Sequence, residues 1–310
     1  MSNQISETPY EDVTKNAANI LTKTDIPIAT FEKDIKVEDK EVNKIIDVLN
    51  EIKNLRAEGH FYKANAYVYA KKFDDAEKEY REAIKINPNL ADAHNNLGNL
   101  LSDLNRYEEA EKEYREAIRI NPNYAEAHYN LGGSLQNLKR YVEAEKELRE
   151  AIRLNPNLAE AHNNLGFLLY NLNHYKEAEK EYREAIKLNP NLADAHNNLG
   201  ILLVNLKNYE EAEKEYREAI RINPNYAYAH SNLGALLKNL KRYEEAEKEY
   251  REAIRLNPNY AEVIYNLGML YIITERLNDA KREILKAKEL FEKQGRSNEV
   301  KYCNEILKNL

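Results

Sequence analysis

The apolar positions of residues 91–124, ADAHNNLGNLLSDLNRYEEAEKEYREAIRINPNY, fall into two stripes. Ala93, Leu97, Leu100, Leu101 and Leu104 recur at three- and four-residue spacing, one face of a helix, A. Tyr107, Ala110, Tyr114, Ala117, Ile118 and Ile120 repeat that spacing on a second helix, B. Asn121-Pro122 ends helix B, because the residue before proline is pushed out of the helical region. Asn123 is then placed to cap the next A helix, with Glu126 completing an Asn-x-x-Glu box. On the polar face of B, Glu108 precedes Lys112 and Glu111 precedes Arg115, i,i+4 pairs worth about 0.2–0.5 kcal/mol each.

The pattern then returns. Pro88, Pro122, Pro156, Pro190, Pro224 and Pro258 stand 34 residues apart, each in an Asn-Pro-Asn triplet. A length of 310 residues suggests about two globular domains, but a fixed period between about 20 and 50 residues marks a stacked array. Seven units follow: 57–90, 91–124, 125–158, 159–192, 193–226, 227–260 and 261–294. No single pair can bury its apolar face, so neighbours must stack into a continuous core. Gly98 recurs as Gly132, Gly166, Gly200, Gly234 and Gly268 in the middle of helix A, where glycine costs about 1 kcal/mol relative to alanine. Close helix–helix approach is the expected reason, with Ala110 and Ala117 as matching small surfaces on B.

Leu97-Gly98, Ala110, Tyr114, Ala117 and Pro122 resemble, in identity and spacing, the tetratricopeptide repeat family, over about three quarters of the chain. One departure is systematic: where that family often has Trp early in helix A, this chain has His60, His94, His128, His162, His196 and His230, then Ile264. The first unit also departs, with Lys63-Ala64 in place of Leu-Gly. These readings together predict an all-α fold, a right-handed α-solenoid (superhelix) of antiparallel helix pairs.

The flanks carry their own signals. Residues 37–56 hold Val42, Ile46, Leu49 and Ile52 at the spacing of a B helix, a half-repeat closing the N-terminal end of the stack. Before it, residues 1–36 form an extension in which Thr8-Pro9-Tyr10-Glu11 opens a short amphipathic helix. At the other end Gly295 breaks the last repeat helix. Val300, Cys303, Ile306, Leu307 and Leu310 then form the stripe of a capping helix over 295–310.

Charge and composition narrow the function. With 46 Lys+Arg against 53 Asp+Glu, the net charge of −7 speaks against a nucleic-acid binder, which needs a basic patch. A single cysteine, Cys303, excludes an intramolecular disulfide framework and a Cys-based zinc site. No secretory leader and no membrane span are recognisable, so a cytoplasmic protein is expected. The flanks are too short for an attached enzyme domain, and no phosphate loop, HExxH or nucleophile elbow occurs. Neither catalysis nor a cofactor is expected. The histidine column does not suit a metal, because successive A helices are about 8–10 Å apart while ligands crowd to about 2 Å of one ion. It reads as packing in place of Trp, with pH sensitivity near about 6.5 if the rings are buried neutral.

Asn96, Asn130, Asn164, Asn198, Asn232 and Asn266 occupy one position of helix A, two before each glycine, on what should be the concave wall. A carboxamide both donates and accepts, so it can hold a peptide amide without reading its side chain. This resembles the asparagine ladder of the superhelical repeats of O-linked N-acetylglucosamine transferases, here without a catalytic domain; the competing reading bonds each Asn only to a neighbouring helix. Three residues on, the units stop agreeing: Asn65, Asn99, Gly133, Phe167, Ile201, Ala235, Met269. Six on, they read Val68, Ser102, Gln136, Tyr170, Val204, Lys238, Ile272. Phe167, Tyr170, Ile201, Val204, Met269 and Ile272 therefore form a candidate apolar stretch, broken in the sixth unit. Four before the asparagines the chain is acidic, as Glu58, Asp92, Glu126, Glu160, Asp194 and Glu262, with Tyr228 the exception. That column either favours basic ligands or suits the helix dipole. Asn137, Asn171, Asn205 and Asn239 form a second column, read as structural, near the A–B turn.

The expected function is a non-enzymatic scaffold holding a peptide or partner segment, with apolar anchors and basic character, in the concave groove. The alternatives are a self-assembling structural solenoid, a groove occupied by the chain's own Thr8–Lys23 helix and, weakest, an RNA-binding repeat.

Overall fold

Where a proline is missing, the helix does not stop. In the computed structural model, which describes residues 40–310, helix α1 (Lys40–Tyr69) runs unbroken from the half-repeat through the first A helix. The positions that elsewhere read Asn-Pro-Asn are here Lys53-Asn54-Leu55. Every one keeps its N–H and none crowds the preceding turn, so the hydrogen-bond ladder continues. The predicted capping helix and first A helix are thus one element. The helix expected at Thr8–Lys23 lies outside the described residues.

The described residues hold helices and no strand. A first compact unit ends at Pro122 and a second spans Asn123–Leu310. In the first, α1 pairs with α2 (Phe73–Ile86), and α3 (Ala91–Asp103) with α4 (Tyr107–Ile120). In the second the pairs are α5 (Ala125–Asn137) with α6 (Tyr141–Leu154), α7 (Ala159–Asn171) with α8 (Tyr175–Leu188), and α9 (Ala193–Asn205) with α10 (Tyr209–Ile222). They continue with α11 (Ala227–Asn239) and α12 (Tyr243–Leu256), then α13 (Ala261–Ile273) and α14 (Leu277–Lys293). Each pair also packs on the next within its unit, as the unpaired apolar stripes require.

The recurring glycines are explained by the partner helix, though not by its alanines. A Cβ on Gly200 would lie 2.6 Å from the Tyr216 ring, and one on Gly166 or Gly234 2.8 Å from Tyr182 or Tyr250. At Gly132 the neighbour is Leu148, and at Gly268 it is Ile284. A large buried B-helix side chain therefore packs directly against each of these glycines, where Ala110 and Ala117 were expected. Those alanines are buried as well, at 0% exposure.

The turns also differ in detail from the pattern. In the last four triplets the first Asn closes the turn: Asn155, Asn189, Asn223 and Asn257 accept the N–H two residues on, at 3.1–3.2 Å. The A helices start a residue later than expected, behind Leu158, Leu192, Tyr226 and Tyr260, without a side-chain cap. At the A–B turn the left-handed residue is Lys139, Asn173, Lys207 or Lys241, two past the second asparagine column. The Arg140 N–H reaches the Leu135 carbonyl at 2.9 Å and the Lys139 N–H that of Gln136 at 2.9 Å, closing α5.

At the C-terminus Gly295, with φ +70°, separates α14 from α15 (Ser297–Lys308). Cys303 on α15 is buried, with Val300, Ile306 and Leu307 packed around Ile264, Ile284 and Phe291.

Candidate functional site

Within the unit 123–310, successive A helices (α5, α7, α9, α11, α13) come closer to one another than successive B helices do. The A helices therefore form its inner layer, and the asparagine column lies there. Asn130, Asn164, Asn198, Asn232 and Asn266 are all half-buried. The amides of Asn198 and Asn232 turn sideways. Asn198 Nδ2 donates to Asn163 Oδ1 at 3.1 Å and Asn232 Nδ2 to Asn197 Oδ1 at 2.9 Å. In the first unit, Asn96 Nδ2 donates to Asn65 Oδ1 at 3.2 Å. Asn96, Asn198 and Asn232 are thus rungs between neighbouring A helices. A carboxamide has two N–H donors and two acceptor sites, and each of these rungs uses one N–H.

Beside the rungs lie the variable positions. Phe167 is 45% exposed, against 0–1% for the core leucines of the same helix. Ile201, Val204, Tyr170, Met269 and Ile272 are half-buried. Two of these have neighbours in their own chain: Met269 packs on the C-terminal core, and the Tyr170 hydroxyl accepts from Asn205 Nδ2. Ala235 and Lys238 interrupt the row on α11. In two repeats the position three beyond this column also meets the B-helix tyrosine. In the first unit the Tyr80 hydroxyl donates to Asn65 and that of Tyr114 to Asn99, the latter at 2.8 Å. Where Ala235 stands instead, the fully buried Tyr250 hydroxyl has no partner among the described residues.

The acidic column sits in the first turn of the A helices, where it suits the dipole. Glu126, Asp194 and Glu262 are exposed and Glu160 is half-buried. Arg296 engages Glu262, and the Tyr226 hydroxyl donates to Asp194. Tyr228, the exception in the column, is 60% exposed. Its ring stands at steep angles to Tyr226 and Tyr260, with centroids 6.3 and 5.4 Å away.

The histidines play a role that periodicity did not reveal. In the second unit Nδ1 of His128, His162, His196 and His230 lies 2.6 Å from Glu147, Glu181, Glu215 and Glu249, each 19 residues on in the paired B helix. In the last three, Nε2 also meets the carbonyl of Pro156, Pro190 or Pro224 at 3.2–3.3 Å. Carbonyl and carboxylate oxygens accept, so the imidazolium form, with an N–H on each nitrogen, satisfies both contacts at once. The Glu181 hydrogen bond accordingly raises the His162 pKa against the opposing effect of burial. For His196 and His230 burial is the largest influence and lowers the pKa, but Glu215 or Glu249 and the proline carbonyl together outweigh it. The rings are buried against carboxylates, and both nitrogens of His162, His196 and His230 are engaged, so none of these three offers one to a metal.

The B helices are linked to their neighbours by ion pairs at 28 or 29 residues: Arg183–Glu211 at 2.8 Å, Arg242–Glu213 at 2.6 Å and Arg276–Glu247 at 2.7 Å. A pocket of about 470 Å³ opens among α6, α7 and α8, lined by Ile152, Pro156 and Leu165. The His162–Glu181 pair forms part of its wall, which places it on the repeat seam.

Comparison with known proteins agrees with this architecture. A TPR repeat profile matches residues 64–104 and 98–139, and Tetratricopeptide repeat profiles match 123–191, 163–227, 227–260 and 249–282. Among curated proteins none matches the sequence. Among solved structures, pilF of Pseudomonas aeruginosa is 25% identical, over 65% of this chain and 92% of its own, with a TM-score of 0.60. YrrB, described as a TPR protein with an unusual peptide-binding site, is 26% identical over 64% of this chain and 98% of its own, with a TM-score of 0.47. MamA of Desulfovibrio magneticus RS-1 is 24% identical over 55% of this chain and 96% of its own, with a TM-score of 0.49. The profile matches span more than half of the sequence, and the chain belongs to the tetratricopeptide repeat family.

Proposed function

We propose that this protein is a non-enzymatic scaffold that holds a segment of another protein along the inner A-helix layer of residues 123–310. The observation that carries the reading is the contrast within one helix. Phe167 stands 45% exposed while Leu165, Leu168 and Leu169 are buried to 0–1%. With Ile201 and Val204 one repeat on, it offers a ligand apolar surface, and burying such side chains contributes about 1.5–3 kcal/mol each. The remaining N–H and acceptor sites of Asn164, Asn198 and Asn232 would hold the ligand's backbone, about 0.5–1.5 kcal/mol per net hydrogen bond. Apolar anchors would select the segment, the rungs would steady it, and the acidic first turns would favour basic character.

The rungs are a poor place for a test, because alanine at Asn198 or Asn232 also removes a bond between helices. The test is the affinity of a peptide selected from a random display library, compared between the wild type and a Phe167→Ala, Ile201→Ala variant. At least tenfold weaker binding by a variant with little change in melting supports the proposal; equal affinity refutes it.

A further inference from the structure

Resting on that reading of the inner layer, we propose that Tyr226, Tyr228 and Tyr260 form a subsite for one basic side chain of the bound segment, a guanidinium or an ammonium. The placement comes from the repeat. Tyr226 and Tyr260 are the residues just before α11 and α13, and Tyr228 takes the place in α11's first turn that carries an acid in the neighbouring A helices. Tyr228 meets Tyr226 at 76° and Tyr260 at 68°, so the three rings make an angled corner rather than a stack. A cation is drawn to the negative face of such rings within about 6 Å of the centroid.

Charge points the same way. The column runs Glu126, Glu160, Asp194, Tyr228, Glu262, with no basic residue in it. The Asp194 carboxylate borders the corner through its bond with the Tyr226 hydroxyl. Elsewhere in this unit the chain fills its own aromatic faces: Arg276 lies 4.2 Å over Tyr271 and Arg296 4.7 Å over Phe291. Among the described residues no Lys or Arg covers Tyr226, Tyr228 or Tyr260. An aromatic corner with Tyr228 exposed and Tyr226 and Tyr260 half-buried, beside a carboxylate and without a cation of its own, is complementary to a cation brought by a partner.

The test needs no partner protein. Protein carrying ring-labelled tyrosine is titrated, in NMR, with N-acetyl-arginine methylamide and separately with its neutral isostere, N-acetyl-citrulline methylamide. The arginine amide should shift the Tyr228 ring signals saturably, and the citrulline amide should bind at least about threefold more weakly. Tyr228→Phe should keep this preference and Tyr228→Ala should lose it; at 60% exposure the alanine variant keeps its fold. Equal response to the two amides, no response of Tyr228, or a preference that survives Tyr228→Ala overturns the subsite. Such a failure is separate from failure of the scaffold reading, which the Phe167 and Ile201 variant decides.

Discussion

His196 Nδ1 lies 2.6 Å from the Glu215 carboxylate, joining the first turn of α9 to the middle of α10. His162–Glu181 and His230–Glu249 repeat the joint one period to either side. The three repeats spanning 159–260 are therefore each fastened internally by a buried His–Glu hydrogen bond, and hydrogen bonds of the charged kind are worth about 1.5–3 kcal/mol.

The joints set a pH dependence with a definite sign. The folded pKa values of His162, His196 and His230 are raised above the ordinary 6.5. Their contribution is complete below about 6.5 and is lost as pH rises through the folded values. The carboxylates act oppositely. Hydrogen bonding by Arg106 holds Glu77 below its ordinary 4.5, and Arg242 and Arg217 hold Glu213 low although burial, the largest influence, opposes them. Their contribution is complete above about 4.5 and is lost as pH falls. Urea midpoints should peak between about pH 5 and 6.5 and decline on the alkaline side. The His162→Gln, His196→Gln, His230→Gln variant should lose that alkaline decline. A wild-type midpoint that rises from pH 6 to pH 8.5 would contradict the assignment.

Tyr250 offers a stabilising substitution. Its buried hydroxyl lacks the acceptor that Asn65 gives Tyr80 and Asn99 gives Tyr114. Ala235→Asn should supply it and raise stability by about 1 kcal/mol. Tyr250→Phe should be neutral or stabilising, whereas Tyr80→Phe should cost about 1 kcal/mol. Calorimetry of the three variants checks the order, and a loss at Tyr250→Phe as large as at Tyr80→Phe would disprove it.

Two helical glycines should respond oppositely to alanine. A Cβ on Gly200 would strike the Tyr216 ring at 2.6 Å, so Gly200→Ala should destabilise by about 1–3 kcal/mol. Nothing lies within 4 Å of a Cβ on Gly133, so Gly133→Ala should gain about 0.5–1 kcal/mol. Chemical denaturation of the two single variants reads the difference directly, and equal effects would refute the tyrosine contact.

Helices and turns were legible because Leu97, Tyr114 and Pro122 each recur in phase, and periodicity reports which face of a helix is buried. It does not report how two helices face each other. His196–Glu215 at 19 residues and Arg242–Glu213 at 29 depend on that relation, and so does Tyr216 lying on Gly200. Their constant separations were present in the sequence as a signal. The fused helix α1 was missed for a different reason: apolar spacing continues through Lys53-Asn54-Leu55 whether or not a turn intervenes, and the absent proline was the deciding feature. The asparagine column is visible in the sequence as a repeated polar position, but the sideways direction of the Asn96, Asn198 and Asn232 amides depends on the neighbouring repeat. The aromatic corner was visible only as an irregularity, one tyrosine in an acidic column.

The inner A-helix layer is the surface proposed to meet a partner. Methyl NMR of protein labelled at isoleucine, valine and methionine, titrated with the library-selected peptide, tests this directly. The methyl signals of Ile201, Val204, Met269 and Ile272 should shift saturably while those of Ile186 and Ile220 on the B helices stay in place. Shifts confined to Ile186 and Ile220, with Ile201 and Val204 unmoved, would contradict it.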